Sequence, residues 1–125
     1  PLATTQFPPE TSWMDEVEVR TVRPGDGITF PKPGDKLMTH YICRIRSTGQ
    51  QIDSSYQRRL PFRFQLGVQQ VIKGWDLGIC RMSLGEKAIL TIPANLAYGQ
   101  TGAGGSIPPD TDLTFEVELL RISAF

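Results

Sequence analysis

The sequence reads Gln70-Val71-Ile72-Lys73-Gly74-Trp75-Asp76 near its middle, with Ile79 and Met82 following. Apolar side chains recur there at Ile72, Trp75, Ile79 and Met82. Their spacings of three, four and three residues are typical of one face of a short amphipathic helix. No other segment has this pattern, so we expect a single helix that buries its apolar face against a sheet. An indole between helix and sheet is most often a plain core residue, and a ligand-binding role for Trp75 stays open.

Extended segments make up most of the remaining chain. Apolar and polar residues alternate there, and Gly-Pro-Asp turns separate the segments. We predict strands over residues 17–22, 36–46, 62–66, 87–92 and 113–119. Residues 56–60 end at Pro61, which cannot donate a ladder hydrogen bond, so we interpret them as an excursion at a sheet edge. The connections are too short for helical crossovers, which predicts an α+β fold whose antiparallel sheet has about five strands.

The composition is that of an ordinary globular domain of 125 residues. Residues 1–16 are rich in Thr and Pro and read as an N-terminal extension, whereas residues 17–125 form the domain. Thirteen basic and thirteen acidic residues cancel, so we expect neither nucleic acid nor an anionic membrane as a partner. Cys43 and Cys80 form no CxxC motif and are interpreted as reduced thiols. No signal-peptide pattern occurs, and we expect a cytoplasmic monomer.

The segment 93–112 differs from the other connections. It runs twenty residues without periodicity and is rich in Gly and Pro. Loops of this length in small domains are either functional or disordered, and the apolar side chains of Tyr98 and Ile107 favour a functional loop.

The motifs of covalent, phosphate-binding and metal-dependent chemistry are missing from the sequence. His40 is the only histidine, no GxSxG elbow accompanies it, and a single histidine in a strand is most often structural. Neither a P-loop nor EF-hand spacing occurs. The chain has instead a surplus of large apolar groups that suits an apolar pocket: Tyr41, Phe62, Phe64, Trp75, Tyr98, Ile107 and Phe115.

In its motifs the chain resembles the FKBP-type peptidyl-prolyl isomerases, the immunophilins that bind tacrolimus and rapamycin. Successive motifs resemble those of that family and occur in family order between about residues 17 and 122. They include Pro24-Gly25-Asp26-Gly27, Thr39-His40-Tyr41, Asp53-Ser54-Ser55, Pro61-Phe62-Arg63-Phe64, Val71-Ile72-Lys73-Gly74-Trp75, Met82-Ser83-Leu84-Gly85-Glu86, Ala97-Tyr98-Gly99, Ile107-Pro108-Pro109 and Phe115-Glu116-Val117-Glu118-Leu119-Leu120. The resemblance implies a curved antiparallel sheet wrapped across one short helix.

The resemblance also implies a set of site residues. The catalytic residues would be Tyr41, Asp53, Trp75, Tyr98 and Phe115. Substrate or drug would contact Tyr41, Ile52, Asp53, Arg58, Phe62, Gln70, Val71, Ile72, Trp75, Tyr98, Ser106, Ile107 and Phe115. Trp75 would then form the pocket floor, and Arg58 would support a polar corner at Asp53. The Tyr98 hydroxyl and the Ile72 amide would bind carbonyl groups of the ligand.

The implied ligands are X-Pro segments, tacrolimus and rapamycin, with calcineurin or TOR kinase as partners through a bound drug. The family uses no cofactor and no metal. The chain departs from the common family pattern at several positions. Ile52 replaces an aromatic residue and makes one wall smaller, Gln70 replaces a glutamate, and Ala-Gly-Gly-Ser at 103–106 makes the rim more polar. They leave drug affinity and the preference for the residue before proline open.

Two other functions stay open beside the isomerase. The same pocket is compatible with a binding module that captures proline-containing segments or partner proteins with incidental turnover. The chain is also compatible with a targeting domain cut from a longer protein. The predicted site residues Tyr41, Asp53, Trp75 and Tyr98 are all present, which favours catalysis.

Overall fold

The computed structural model describes residues 16–123, so the predicted extension 1–16 lies outside the described residues except for Glu16. Six strands and two α-helices follow one another in this part of the chain. They are β1 (Glu18–Arg23), β2 (Lys36–Ile45), β3 (Gln51–Ser54), α1 (Ser55–Arg58), β4 (Phe62–Gln65), α2 (Lys73–Gly78), β5 (Lys87–Ile92) and β6 (Leu113–Ser123). Short 3-10 helices at Ile79–Arg81 and Ala94–Leu96 follow α2 and β5. None of the helices within residues 16–123 is long and apolar enough to cross a membrane.

The strands form one open antiparallel sheet in the order β1-β5-β6-β2-β3, and β4 also pairs with β2. This confirms the predicted α+β class, with six strands in place of about five. Strand β2 is central because β6 pairs along its whole length while β4 and β3 divide its other edge. That division positions Phe62 opposite Thr39 and Asp53 opposite Cys43.

Helix α1, a single turn, lies between β3 and β4 and overlaps the segment 56–60, where the sequence predicted a bulge or excursion at a sheet edge. The predicted amphipathic helix is α2. The Ser54 side chain accepts a hydrogen bond from the Gln57 amide at 3.3 Å, which caps the first turn. Arg59 then adopts a left-handed conformation with φ of 55° and ends the helix. A helix of a single turn is too short to produce an apolar periodicity in the sequence.

Helix α2 buries the predicted apolar face against the inner face of the sheet. Trp75, Ile79 and Met82 are at most 3% exposed, and they join a core to which β5 and β6 contribute Leu90, Val117 and other residues. The α-helix itself is shorter than the apolar pattern, because residues from Ile79 to Arg81 tighten into a 3-10 turn. Burying each such side chain stabilises the fold by about 1.5–3 kcal/mol.

Other sequence predictions are confirmed in the same core. Cys43 and Cys80 are free thiols, and β5 begins and ends at the predicted residues. Strand β1, which contains residues 18, 20 and 23, lies at one edge of the sheet.

Gly74 controls how closely α2 approaches the sheet. A Cβ at this position would lie 2.8 Å from Cδ1 of Ile92 and closer still to its Cγ2, and Ile92 is fully buried. We predict that Gly74→Ala lowers the free energy of unfolding by about 1–2 kcal/mol, because overpacking of about 1–3 kcal/mol outweighs the gain in helix propensity of about 1 kcal/mol. Urea unfolding of the purified variant measures this.

Gly105→Ala is the matched control, since a Cβ there meets no atom within 4 Å. Its stability should equal that of the parent within about 0.5 kcal/mol. Equal stability of both variants would contradict close packing at Gly74.

Candidate functional site

A cavity of about 330 Å³ opens between the inner face of the sheet, the start of α2 and the loop 93–112. It is lined by Tyr41, Cys43, Ile52, Asp53, Phe62, Gln70, Val71, Ile72, Trp75, Tyr98, Ala103, Ser106, Ile107 and Phe115. The structure thus places every predicted site residue except Arg58 in the lining of one cavity. Their roles in binding and catalysis stay predictions.

Cys43 and Ala103 line the cavity although the sequence reading did not assign them to it. The signal for Cys43 was present, because residues two apart on a strand face the same side and Tyr41 was already assigned. Burial raises the pKa of the Cys43 thiol to about 12. It is therefore a neutral wall group near neutral pH.

The indole of Trp75 lines the cavity. Trp75 is only 3% exposed and packs edge-on against several other rings. Its ring centroid lies 5.3 Å from that of Tyr41, 5.8 Å from Phe62, 5.3 Å from Phe64 and 5.4 Å from Phe115. Such tilted pairs are favoured by the aromatic quadrupole and hold each ring in one orientation. The two interpretations of Trp75 are therefore compatible, because the side chain belongs to the core and also lines the cavity.

Tyr41, Asp53 and Arg58 form a polar corner at one side of the cavity. The Tyr41 hydroxyl donates to Oδ2 of Asp53 at 2.5 Å and accepts from Nη2 of Arg58 at 2.9 Å. Nη1 of Arg58 pairs with Oδ1 of Asp53, and the Ser54 amide donates to the same oxygen at 2.8 Å. Arg58 is the last residue of α1, the helix that directly follows β3. It contacts Asp53 without lining the cavity, and its support of a binding site stays a prediction.

The polar corner fixes the charge of its members. Burial disfavours ionisation of Asp53, but hydrogen bonds from Tyr41 and Arg58 and the charge of Arg58 outweigh it and hold its pKa below the usual range. Burial, together with the carboxylate of Asp53, raises the pKa of Tyr41 to about 12. Burial also raises the pKa of Tyr98. Near neutral pH Asp53 is therefore ionised, and the phenols of Tyr41 and Tyr98 are neutral.

The loop 93–112 forms the rim opposite the sheet. Ala103 and Ile107 exchange backbone hydrogen bonds of 2.9 and 3.1 Å, which close a tight turn that presents Ser106 and Ile107 to the cavity. Gly102 has a φ of 67°, and a Cβ there would collide with the Ile107 carbonyl. The loop is thus held by its own contacts, and its functional role stays a prediction.

Several hydrogen-bond donors at the cavity are unused within residues 16–123, among them the buried Nε1 of Trp75. The Tyr98 hydroxyl and the Ile72 backbone amide have no acceptor among these residues. Ile72 precedes the first turn of α2, where backbone amides lack an intrahelical acceptor. Both donors are available to carbonyl groups of a ligand.

His40 lies outside the cavity lining. Its Nδ1 is 2.7 Å from the Ser55 hydroxyl, and its ring stacks on Tyr56 with centroids 4.4 Å apart. His40 is thus a hydrogen-bonded strand residue, and its structural role stays a prediction.

Fold and cavity together define a protein with an open antiparallel sheet, one central helix and an aromatic-walled ligand site. The sequence profile of FKBP-type peptidyl-prolyl cis-trans isomerases matches residues 27–120. FK506-binding protein 1 of Saccharomyces cerevisiae is 51% identical over 107 residues, which cover 86% of this chain and 93% of that protein. Peptidyl-prolyl cis-trans isomerase FKBP1A of Xenopus laevis is 47% identical over 106 residues, which cover 85% of this chain and 97% of that protein. This chain belongs to the FKBP-type peptidyl-prolyl cis-trans isomerases.

The polar corner predicts a pH-dependent contribution to stability. The pKa of Asp53 is depressed in the folded state, so its contribution is present above the unfolded pKa of about 3.9 and is lost as pH falls through the folded pKa. We predict that Asp53→Asn costs about 0.5–1 kcal/mol of unfolding free energy at neutral pH, a value kept small by solvent screening of a half-exposed pair. Urea unfolding at neutral pH and at about pH 2.5 measures the difference.

Asp110→Asn serves as the control, because Asn tolerates the left-handed backbone of that residue, with φ of 56°. The Asp53→Asn deficit should vanish in acid, and the control should show none at either pH. A deficit of the same size at both pH values would contradict the charged corner.

Proposed function

We propose that the cavity binds an X-Pro segment and that Tyr41, Asp53, Trp75, Tyr98 and Phe115 accelerate rotation of its peptide bond. One observation carries this proposal above the others. The cavity has an aromatic floor and two unused donors at its edge. Such a site can bind carbonyl groups and exclude water without forming a covalent bond.

The physical demand of the reaction matches such a site. Rotation about an X-Pro bond removes amide resonance over a barrier of roughly 20 kcal/mol, and no other bond needs to form. The twisted amide has less charge separation than the planar one, so transfer from water to an apolar wall penalises the transition state less than the ground state. A ~10⁶-fold acceleration requires only ~8 kcal/mol of this differential stabilisation.

Each wall of the cavity has a part in this proposal. The ring of proline packs on Trp75, and the Ile72 amide and the Tyr98 hydroxyl donate to flanking carbonyl groups. Tyr41 and Phe115 complete the apolar wall around the rotating bond. Asp53 holds the Tyr41 hydroxyl in place from the polar corner.

We also propose FK506, which is tacrolimus, and rapamycin as ligands of the same cavity. The names of the relatives from Saccharomyces cerevisiae and Candida glabrata state that those proteins bind FK506. Ile52 and Ser106 line the cavity at the positions where this chain departs from the family pattern, so they set the drug affinity. Calcineurin and TOR kinase are partners of the resulting drug complex in this proposal. The monomeric state and cytoplasmic location stay predictions.

Trp75→Ala tests this proposal most sharply because it removes the cavity floor. We predict a loss of at least roughly thirtyfold in tacrolimus affinity and in turnover of a Leu-Pro peptide, as expected for a buried aromatic anchor. Trp75→Phe keeps an aromatic floor and should lose less than Trp75→Ala. Calorimetry gives the affinity, exchange NMR gives the turnover, and urea unfolding establishes that each variant folds.

Phe30→Ala is the control, because Phe30 is an exposed aromatic residue outside this cavity. Folded Trp75 variants with the affinity and turnover of the Phe30→Ala control would refute the site. Retained drug binding by the parent protein without turnover would favour the binding-module alternative.

A further inference from the structure

A second concave surface lies on the outer face of the sheet. In β2, Leu37 and Thr39 point into the core and are at most 2% exposed, so Lys36 and Met38 point outward. Met38 pairs with Arg63 of β4 on one side and with Arg121 of β6 on the other. We call this surface the basic groove and define it by its lining residues Lys36, Leu37, Met38, Arg63, Phe64, Gln65, Gln70, Arg121 and Ser123. Its volume is about 650 Å³.

Among the residues that the structure describes, the lining of the basic groove has three cations and no carboxylate. Within residues 16–123, none of the three forms a salt bridge. Other cations on the sheet differ, since Arg23 pairs with Glu118 at 2.7 Å and Lys87 with Glu116 at 3.7 Å. The whole chain has no net charge, so the groove is a local excess of positive charge. Such a surface attracts anionic groups at ordinary ionic strength.

The groove shares a rim with the aromatic-walled cavity. Gln70 lines both, and its side-chain oxygen accepts a hydrogen bond from the Gln65 amide at 2.8 Å. Phe62 and Arg63 are neighbours on β4, so their side chains leave opposite faces of the strand. Phe62 enters the cavity, and Arg63 enters the groove. An extended peptide that leaves the cavity across Gln70 therefore reaches the cations within a few residues, at about 3.3 Å per residue.

We propose that the basic groove binds an acidic segment of the same client chain whose proline occupies the cavity. This inference rests on the proposed function of the cavity. Charge complementarity selects the occupant, because carboxylates of Asp or Glu supply the acidic partners that Lys36, Arg63 and Arg121 lack within residues 16–123. Three cations on a chain of no net charge match a short acidic peptide better than a nucleic-acid backbone, which requires a longer basic surface. The groove thereby gives the enzyme a preference for X-Pro bonds near acidic residues.

Matched peptides test the proposal. Each contains the same Leu-Pro bond and has either two Glu or two Gln residues, placed three to five positions before or after the proline. Exchange NMR at low salt gives kcat/KM for each peptide. We expect the Glu peptides of one of the two placements to be favoured roughly fivefold over their Gln counterparts, a value typical of a few exposed ion pairs. The preference should disappear at high salt.

The double variant R63Q/R121Q should abolish the ratio between Glu and Gln peptides. Arg20→Gln is the matched control, because it removes an arginine from β1, on the opposite side of the sheet order, and should keep the ratio. Equal turnover of Glu and Gln peptides by the parent protein would overturn the proposal. So would a ratio that survives in the double variant.

A proline-free Glu peptide separates this inference from the proposed function. Amide shifts confined to β2, β4 and β6 on its addition would support the groove even if no Leu-Pro peptide were turned over. Turnover of neutral peptides without any response to Glu would overturn the groove and leave the isomerase site standing. Tighter binding of a short single-stranded RNA than of the Glu peptide at these strands would also overturn the proposal.

Discussion

The packing of Trp75 between helix α2 and the sheet is the interaction on which the rest of the structure depends. Gly74 lets the helix approach closely enough for the indole to contact aromatic rings of the sheet, including one from β4. Four aromatic side chains then surround the indole edge-on and fix its orientation. Several of these rings also line the cavity. Under the proposed function, stability and binding therefore depend on the same side chains.

The polar corner completes the cavity without adding reactive chemistry. Tyr41 takes part in both the aromatic floor and the hydrogen bonds to Asp53 and Arg58, which joins the two parts rigidly. The groups that titrate in the cavity lining keep one charge state near neutral pH, with Asp53 ionised and Cys43 and the tyrosines neutral. A site of this kind can orient and desolvate a peptide bond. It provides an apolar environment in which a peptide bond can rotate.

Much of the fold could be predicted because the strands alternate strictly. Strand β5 matches its prediction residue for residue, since Ala88, Leu90 and Ile92 mark one buried face. Helix α1 could not be predicted, because a single turn has no period and depends on the Ser54 cap. The apolar pattern through Met82 also overstated the length of α2. Spacing alone does not distinguish a longer α-helix from a short α-helix followed by a 3-10 turn.

The cavity was predictable only in part from the residues themselves. Alternation and composition indicated an apolar pocket, whereas the set of lining residues came from the family resemblance. Cys43 was missed although its two-residue spacing from Tyr41 placed it on the same face. The pairing of β3 and β4 along one edge of β2 brings Asp53 and Phe62 together, and no local pattern contains that information.

Exchange NMR on a Leu-Pro peptide, with catalytic amounts of the unmodified protein, tests the central claim most directly. The measurement is repeated with saturating tacrolimus, which should occupy the same cavity. The account predicts faster cis/trans exchange that the drug abolishes. Faster exchange that persists with bound tacrolimus would place turnover elsewhere and contradict the account.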